Sequence, residues 1–509
     1  MLPYILAVDI GTTSTKAIAV TANGNVLAFH TIPYPTHYPK AGYSEQDPEE
    51  ILSAVKNCIV QIMQGCKEHQ LLCLSFSAAM HSVMATDSNG LPLTPLIIWS
   101  DMRSLEQAND LISRGIAYKI YNATGTAIHP MAPLCKLMWW RKHRPDLMKK
   151  AFKFLSIKDY VLYHFTGDWI TDYSVASASG LFNIRSLSWD EVAIREAGVT
   201  VDQLPTAIPS TQIIIGLKED VRNELQLPHE LKIVPGASDG CLATLGTNAI
   251  HPGELSVTIG TSGAVRMIVD SPKSDPNQRI FNYLLSKNRV VVGGATNNGA
   301  ILLQWFEKNF GKQEGRESIY QDVEIACQKD VRSDTLIFLP YILGERAPIY
   351  DPFARGVFFG LSIQHERIHL LRALIEGICF SLFDIAHSLE EVAGNYSVIL
   401  ASGGFIHSPG WIQVLSDVFG KEVKVVAQDD ASAIGAARLA FEALGIKDKF
   451  FENQVKEVVY HPDLKRHELY QKKFKIFLSL YRNLKQDFYN LSKLGETDGQ
   501  AEFFEMPQK

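Results

Sequence analysis

Two short segments of this chain combine an apolar strand with a glycine turn rich in hydroxyl groups. Residues 8–14 read Val-Asp-Ile-Gly-Thr-Thr-Ser, and residues 257–263 read Val-Thr-Ile-Gly-Thr-Ser-Gly. Each leads into a second apolar run, which predicts a hairpin whose tip presents backbone N–H and hydroxyl donors to an anion. One such turn is often no more than a hairpin tip. Two copies, one in each half of the chain, favour two related domains that face each other across a phosphate.

Charged side chains distinguish the two copies, with Asp9 and Lys16 in the first and Arg266 in the second. Asp9 closes an otherwise apolar strand, and a carboxylate is costly to bury unless it is paired or near a cation. It is therefore either an outer-shell partner of Mg²⁺, which tends to keep its waters, or an aspartate that bonds the N–H groups of its own turn.

A second carboxylate, Asp239, follows the predicted strand 231–234 just ahead of a predicted helix. Ser238 and Asp239 are both good helix N-caps, so capping alone would account for Asp239. The alternative is a base that orients an attacking hydroxyl group. A carboxylate within hydrogen-bond reach suffices for that role, because phosphoryl transfer depends mainly on positioning and charge stabilisation.

Met80 and His81 end a predicted central strand, where ligands gather in α/β folds. Trp99 and Asp101 follow the predicted strand 96–98 and could flank the same cavity, since aromatic faces and carboxylates suit a polyol. A lone histidine is more often structural, and a tryptophan is more often part of the core.

The elements that must position these residues alternate between strands and helices, which predicts mixed α/β layers. We expect a first domain at 1–245, a second at 246–509 and a frayed tail from about Ser492, where the pattern ends. Strands are predicted at 4–9, 15–20, 25–32, 71–76, 231–234, 290–292, 336–339 and 398–400, and helices from Asp47, from Ile301 and over 369–393.

The bulk properties limit the class of protein. At 509 residues the chain is too long for one hydrophobic core, and its net charge of -6 argues against a nucleic-acid partner. No apolar stretch is long enough to span a membrane, and no signal peptide is evident. Seven cysteines, scattered singly, favour reduced thiols and a cytoplasmic location. The chain also lacks a Walker P-loop, so a bound nucleotide would be held by the twin hairpins.

With these residues in place, the chain resembles the FGGY family of carbohydrate kinases, within the actin-like, RNase H-like ATPase superfamily. The resemblance covers Asp9 to about Ala440 and is carried by segments 9–16, 131–139, 238–243, 344–348, 356–376 and 401–404. It implies an α/β fold of two actin-like (RNase H-like) domains, each a mixed β-sheet flanked by helices, with the active site in the interdomain cleft. It also implies ATP and Mg²⁺ as cofactors, closure of the cleft and a homodimer.

The resemblance assigns roles residue by residue. Asp239 matches the catalytic base, and Asp9 the carboxylate associated with magnesium through water. The matching phosphate-loop and nucleotide positions are Gly11, Thr12, Thr13, Lys16, Gly260, Thr261, Gly299, Gly403 and Gly404. Met80, His81 and Trp99, with Asp239, would bind the sugar.

The substrate is predicted from the residues near Met80. Glycerol kinases carry Arg-Glu where this chain has Met80-His81, which resembles both xylulokinases and gluconokinases, and segments 79–82, 98–103 and 126–131 look closer to gluconokinases. We therefore expect D-gluconate, phosphorylated at its terminal hydroxyl to 6-phospho-D-gluconate, with D-xylulose as the alternative. The gluconate carboxylate needs a partner, for which His81, His129 and Arg103 are candidates.

Two other classes remain open. A sugar-responsive regulator on an inactive kinase scaffold would be expected to have lost Asp239 or a phosphate loop, and both are present. An actin- or chaperone-like ATPase would share the twin hairpins but not the sugar-kinase signatures, and its ATP turnover would not respond to any sugar.

Overall fold

Two mixed β-sheets with the same arrangement of central strands organise the computed structural model, which describes residues 2–311, 319–328, 335–425, 430–450 and 458–496. The N-terminal sheet has the order Ile214–Ile215, Lys232–Ser238, Gln70–Ala78, Pro3–Ile10, Ser14–Thr21 and Val26–Pro33. The C-terminal sheet has the order Phe281–Ser286, Arg289–Thr296, Gly263–Val269, Glu254–Ile259, Val398–Ser402, Glu422–Val425 and Val458–Tyr460. This confirms the predicted α/β class with two related mixed sheets.

The two predicted hairpins occupy equivalent places in these sheets. Pro3–Ile10 runs antiparallel to Ser14–Thr21 and parallel to Gln70–Ala78. In the other sheet, the strand Glu254–Ile259 likewise has one antiparallel partner, the returning hairpin strand, and one parallel partner, Val398–Ser402. We call the two pairs the first and second hairpins.

Helices and smaller sheets cover the two central sheets. The α-helices are Pro48–Gly65, Leu105–Ser113, Ala117–Thr124, Pro133–His143, Pro145–Lys150, Ile157–Thr166, Tyr173–Ser177, Glu191–Ala197, Glu219–Leu225, Asp239–Gly246, Ile301–Phe310, Ile319–Gln328, Arg367–Ala393, Pro409–Phe419, Ala431–Ala443 and Leu464–Glu496. Short 3₁₀ turns lie at Val201–Gln203 and Gly404–His407. The two-stranded pairs are Glu45–Gln46 with Leu96–Ile97, Met84–Thr86 with Lys153–Leu155, Ile170–Asp172 with Thr206–Ile208, Phe182–Asn183 with Ser188–Trp189, and Ile337–Pro340 with Gly356–Phe359.

The first long helix begins where its sequence predicts. The Asp47 carboxylate accepts a hydrogen bond of 2.9 Å from the backbone N–H of Glu49, and Pro48 occupies the first turn. Such a cap satisfies one of the backbone donors left open at a helix start. The apolar face of the helix, which includes Val55 and Ile59, is buried against the N-terminal sheet.

Helices Asp239–Gly246 and Ala431–Ala443 cross at very short range between the two sheets. A Cβ atom on Gly246 would lie 1.9 Å from the carbonyl oxygen of Ala431, and one on Gly435 would lie 2.0 Å from that of Leu242. Only glycine permits this backbone approach. The second helix also reaches the N-terminal sheet, since the Ser75 hydroxyl donates to the carbonyl of Ala436 at 2.9 Å.

One strand is longer than its sequence suggests. The strand predicted at 231–234 extends over Lys232–Ser238, with a register irregularity between Val234 and Ala237. Gly236 takes a φ of +71°, and a Cβ there would lie 1.8 Å from the carbonyl oxygen of Phe76. The Pro-Gly pair therefore forms a bulge that brings the strand directly to Asp239.

The prediction of a frayed tail from about Ser492 is wrong at its start, because the helix Leu464–Glu496 passes through that residue. Its buried aromatic residues, Tyr470, Phe474, Phe477, Tyr481 and Phe488, follow a helical spacing. Packing of these aromatic groups against the C-terminal core stabilises the helix, although the polar sequence near its end does not predict one. The rest of the predicted tail, 497–509, lies outside the described residues. None of the described helices is long and apolar enough to cross a membrane.

Candidate active site

The tip of the first hairpin is held by hydrogen bonds from several sides. The N–H of Gly11 donates to the carbonyl of Ser14 at 3.0 Å, closing the turn. The Tyr34 hydroxyl donates to the Gly11 carbonyl at 2.7 Å, and the Gln46 amide donates to the Thr12 carbonyl at 2.5 Å. The loop is therefore preorganised without using the hydroxyl groups of Thr13 or Ser14 in any of these bonds.

Lys16 pairs in register with Asp9 across this hairpin. Its ammonium group forms an ion pair of 2.9 Å with Asp430, and both side chains remain partly exposed. Lys16 thus connects the first hairpin to the segment that precedes the helix Ala431–Ala443. A phosphate bound here would compete with Asp430 for the ammonium group.

The second hairpin tip meets two other glycine segments. The Ala300 N–H donates to the Gly260 carbonyl at 2.8 Å, and the Ile301 N–H donates to the Thr261 carbonyl at 3.2 Å, so a helix starts at this tip. A Cβ on Gly299 would lie 2.5 Å from the Ser262 carbonyl oxygen.

The remaining glycine segment, Gly403-Gly404, lies against the same hairpin. Gly403 has a φ of +96°, and a Cβ there would lie 2.5 Å from the carbonyl oxygen of Ile259. A Cβ on Gly260 or Gly404, by contrast, would meet no atom within 4 Å. Bare backbone at a hairpin tip beside a helix start is a surface that fits the phosphates and sugar of a nucleotide.

Asp239 is the first residue of its helix, and hydrogen bonds hold the backbone that precedes it. The Ser238 side chain does not cap the helix; its hydroxyl lies 3.0 Å from that of Ser174, which also accepts from the Ser238 N–H at 3.1 Å. Behind it, the Lys158 ammonium donates to the Ala237 carbonyl at 2.8 Å and forms a fully buried ion pair of 2.6 Å with Asp172. The carboxylate of Asp239 accepts from the N–H of Gly240 at 2.7 Å.

Several charged groups shift the pKa of Asp239. Burial raises the pKa of its carboxyl group, and this shift is opposed first by the positive charge of Arg266, then by the Gly240 N–H and by the charges of Lys158 and Arg346. The nearby cations therefore favour the ionised form, which is the form that can accept a proton.

Asp9 lies close enough to Asp239 for the two charges to interact. Burial raises the pKa of Asp9 to about 6; the Ser77 hydroxyl and Lys16 oppose this shift, and the Asp239 charge adds to it. Its Oδ1 atom is buried with no hydrogen-bond partner in the described part of the chain. An orphaned carboxylate oxygen beside the phosphate loop fits a hydrated Mg²⁺, which binds through one or two carboxylates and the substrate phosphates.

Two of the predicted acceptor residues, Met80 and Trp99, line one cavity together with Gly11 and Thr12 of the first hairpin, whereas His81 lines a second cavity. The Trp99 indole N–H donates to the Thr12 hydroxyl at 3.0 Å. Met80 also lies next to the residue that follows Asp239, since its terminal methyl would lie 3.0 Å from a Cβ on Gly240.

His81 is buried and faces the second half of the chain. Its Nδ1 lies 2.8 Å from the Ala178 carbonyl, its Nε2 lies 3.3 Å from the Tyr283 hydroxyl, and its φ is +67°. Burial and the charge of Lys136 lower the pKa of His81 to about 3, so the ring is neutral at physiological pH. It can position polar groups but cannot supply a positive charge.

The two other candidates for binding a carboxylate are also unsuited to it. Burial, followed by the charge of Arg346, lowers the pKa of His129 to about 3. Arg103 is positive but committed, because it forms ion pairs with Asp101 at 2.8 Å and with Glu45 at 2.6 Å.

Sequence reasoning missed the role of two arginines. Arg266 is not the counterpart of Lys16, because in the second hairpin it pairs with Ser256, whereas Thr258, the counterpart of Asp9, pairs with Ala264. Arg346 follows Glu345 and places its guanidinium 4.9 Å from the centre of the Trp99 ring. The sequence identified segment 344–348 as a family motif, but it gave no indication that Arg346 would contact Trp99.

Comparison with known proteins identifies the family. Residues 4–246 match the N-terminal domain of the FGGY family of carbohydrate kinases, and residues 255–444 match its C-terminal domain. The chain belongs to the FGGY family of carbohydrate kinases. This FGGY kinase is 40% identical to gluconokinase from Bacillus subtilis (strain 168) over 504 residues, which is 97% of both chains. It is 28% identical to xylulose kinase from Staphylococcus xylosus over 485 residues, 95% of this chain and 100% of that one.

Solved structures include both kinds of kinase. This FGGY kinase superposes on a gluconate kinase from Lactobacillus acidophilus with a TM-score of 0.91 and 34% identity, over 96% of this chain and 100% of that one. A ligand-bound xylulose kinase from the same organism gives the same TM-score, identity and coverage. Backbone similarity confirms the two-domain fold, whereas the choice of sugar must be argued from side chains.

Proposed function

We propose that this FGGY kinase transfers the γ-phosphoryl group of ATP to the terminal hydroxyl of D-gluconate, giving 6-phospho-D-gluconate. The observation that carries the choice of gluconate is the 40% identity to a gluconokinase, against 28% to a xylulose kinase, over nearly the whole chain. The positive side chains in the cleft also suit an anionic acceptor better than a neutral sugar.

Asp239 acts as the base. The acceptor oxygen attacks the γ-phosphorus while its proton passes to the Asp239 carboxylate, and the bond from that phosphorus to the β,γ-bridging oxygen breaks to release ADP. Ser174 and Lys158 fix the backbone that leads into Asp239, and positioning of this kind supplies much of the rate in phosphoryl transfer.

The two hairpins hold the phosphates. We assign Gly11, Thr12, Thr13 and Lys16 to one side, and Gly260, Thr261, Gly299, Gly403 and Gly404 to the side that also carries adenosine. Asp9 would hold Mg²⁺ through water, and the bound ion would neutralise charge on the phosphates. Three further expectations stay predictions: a domain division near residue 245, a cytoplasmic location and a homodimer.

Met80, His81 and Trp99 form the acceptor side. Trp99 offers an aromatic face to the polyol chain, and the neutral ring of His81 contributes hydrogen bonds rather than charge. D-xylulose is the second candidate, supported by the xylulose kinase structure that superposes equally well.

The test is coupled ADP release with ATP and Mg²⁺ against D-gluconate, D-xylulose, L-ribulose, glycerol and no acceptor. We expect kcat/KM for gluconate to exceed the others by about 100-fold, or roughly 2.7 kcal/mol of transition-state binding. A preference for xylulose would replace the proposed substrate and leave the role of Asp239 in place. ATP turnover that does not respond to any acceptor would indicate an ATPase, and no turnover at all would indicate a regulator.

A further inference from the structure

Two arginines in the cleft have buried N–H groups without partners. These are Nε and Nη1 of Arg266 and Nε of Arg346. A buried polar group without a partner is rare in a folded protein and calls for an explanation. Neither guanidinium forms an ion pair with any residue that the structure describes, although each side chain is largely buried.

The two positive charges are also close enough to disfavour each other. Burial lowers the pKa of Arg346, and the charge of Arg266 lowers it further. The adjacent carboxylate, Glu345, is occupied elsewhere: it accepts hydrogen bonds from the Thr296 hydroxyl at 2.6 Å and the Asn297 N–H at 3.0 Å. Asp239 and Glu345 offset part of this positive charge, but neither accepts a hydrogen bond from the free N–H groups, which therefore still lack an acceptor among the described residues.

We propose that Arg266 and Arg346 bind the carboxylate of the sugar acid, and so set the preference for an acid over a neutral sugar. This inference rests on the proposed function and adds to it the residues that recognise the anionic end of the substrate. A carboxylate matches the planar fork of a guanidinium, and bonds in which both partners are charged are among the strongest hydrogen bonds in proteins. Arg103, His81 and His129, the candidates named from the sequence, are committed or neutral.

Neighbouring groups define how the substrate lies. Arg346 stacks over Trp99, and its Nη2 donates to the Thr296 carbonyl at 3.1 Å, which leaves Nε for a ligand. Arg266 affects the pKa of Asp239 more than Arg346 does. We place the carboxylate between the two guanidinium groups, with the polyol chain running past Trp99 to Asp239.

The experiment compares D-gluconate with D-gluconamide, which has the same carbon chain but a neutral end group. In the wild-type enzyme, kcat/KM should favour gluconate. Arg266→Gln and Arg346→Gln should each lower the gluconate-to-gluconamide ratio by about 10- to 100-fold, as expected for the loss of a hydrogen bond between charged groups. Arg289→Gln is the matched control, because Arg289 pairs with Glu442 at 2.6 Å on the surface and should leave the ratio unchanged.

The ratio separates recognition from structural damage. If a variant loses activity equally on both acceptors, the carboxylate assignment is wrong, since only a general disturbance of the site would act that way. Arg346→Lys and Arg266→Lys keep the charge without the fork, so they should retain part of the ratio even where the glutamine variants melt early. A wild-type enzyme that does not phosphorylate gluconate would instead overturn the proposed function itself.

Discussion

The indole N–H of Trp99 donates a 3.0 Å hydrogen bond to the hydroxyl of Thr12. We have assigned one residue to the acceptor side and the other to the first phosphate loop, so the two proposed substrate sites share a direct contact. Trp99 also lies under the Arg346 guanidinium from the second half of the chain. Trp99 is therefore in contact with residues from both halves of the chain.

This bond should couple the two residues energetically. We expect Trp99→Phe, which keeps the aromatic ring, and Thr12→Val, which keeps the shape, to lower kcat/KM. Because both remove the same bond, the double variant should lose less than the sum, by about 1 kcal/mol. Trp189→Phe serves as the control, because it removes a comparable bond of 3.1 Å to the Pro205 carbonyl and Trp189 does not line the cavity that contains Thr12. Strictly additive losses would show that the bond does not contribute to catalysis.

Replacing the base should separate chemistry from binding. Asp239→Asn keeps the size of the side chain and a carbonyl that can accept from Gly240, but it cannot take the proton of the acceptor. We expect kcat to fall by about 10²- to 10⁴-fold, with the KM values for ATP and gluconate within a few-fold of wild type. Steady-state kinetics with both substrates varied would measure this. Near-normal kcat would remove Asp239 from the role of base.

The ionised carboxylate of Asp9 should destabilise the folded protein when no Mg²⁺ or nucleotide is bound. Burial raises its folded-state pKa from 3.8 to about 6, so the folded protein binds more protons than the unfolded chain between these values. The free energy of unfolding therefore falls as pH rises through this window, and the penalty is complete above pH 6. At pH 8 without nucleotide, we expect Asp9→Asn to be more stable than wild type by up to about 3 kcal/mol.

Thermal melts at several pH values would test this expectation. The gain in Tm for Asp9→Asn should shrink as the pH falls from 6 towards 4, and Mg²⁺ with ATP should stabilise the wild type more than the variant. Asp487→Asn, at an exposed position on the C-terminal helix, should show neither effect. A gain that is constant with pH would point to packing rather than to the buried charge.

The hairpins and the two carboxylates at strand ends could be predicted because their signals are local. An apolar strand that ends in a glycine fixes where the chain turns, and Asp9 and Asp239 stand out as charges at strand ends. The same reasoning placed Asp47 at the start of a helix, where it accepts from the Glu49 N–H.

Contacts between distant segments could not be predicted in this way. Arg346 gains its significance from Trp99, and whether His81 carries a charge depends on its burial and on Lys136. The helix Leu464–Glu496 was missed because its charged residues obscured buried aromatic groups such as Phe477. In each case the outcome depended on burial in the folded state, and burial cannot be read from a short stretch of neighbouring residues.

The close crossing at Gly246 and Gly435 has a mechanical consequence. Asp239 and Gly246 are the two ends of one short helix, so the carboxylate is rigidly connected to the point where the backbones touch. With no side chain between them, the two helices can roll on each other but cannot separate without losing contact. A movement that displaced this contact would tilt the short helix, and Asp239 at its other end would move with it.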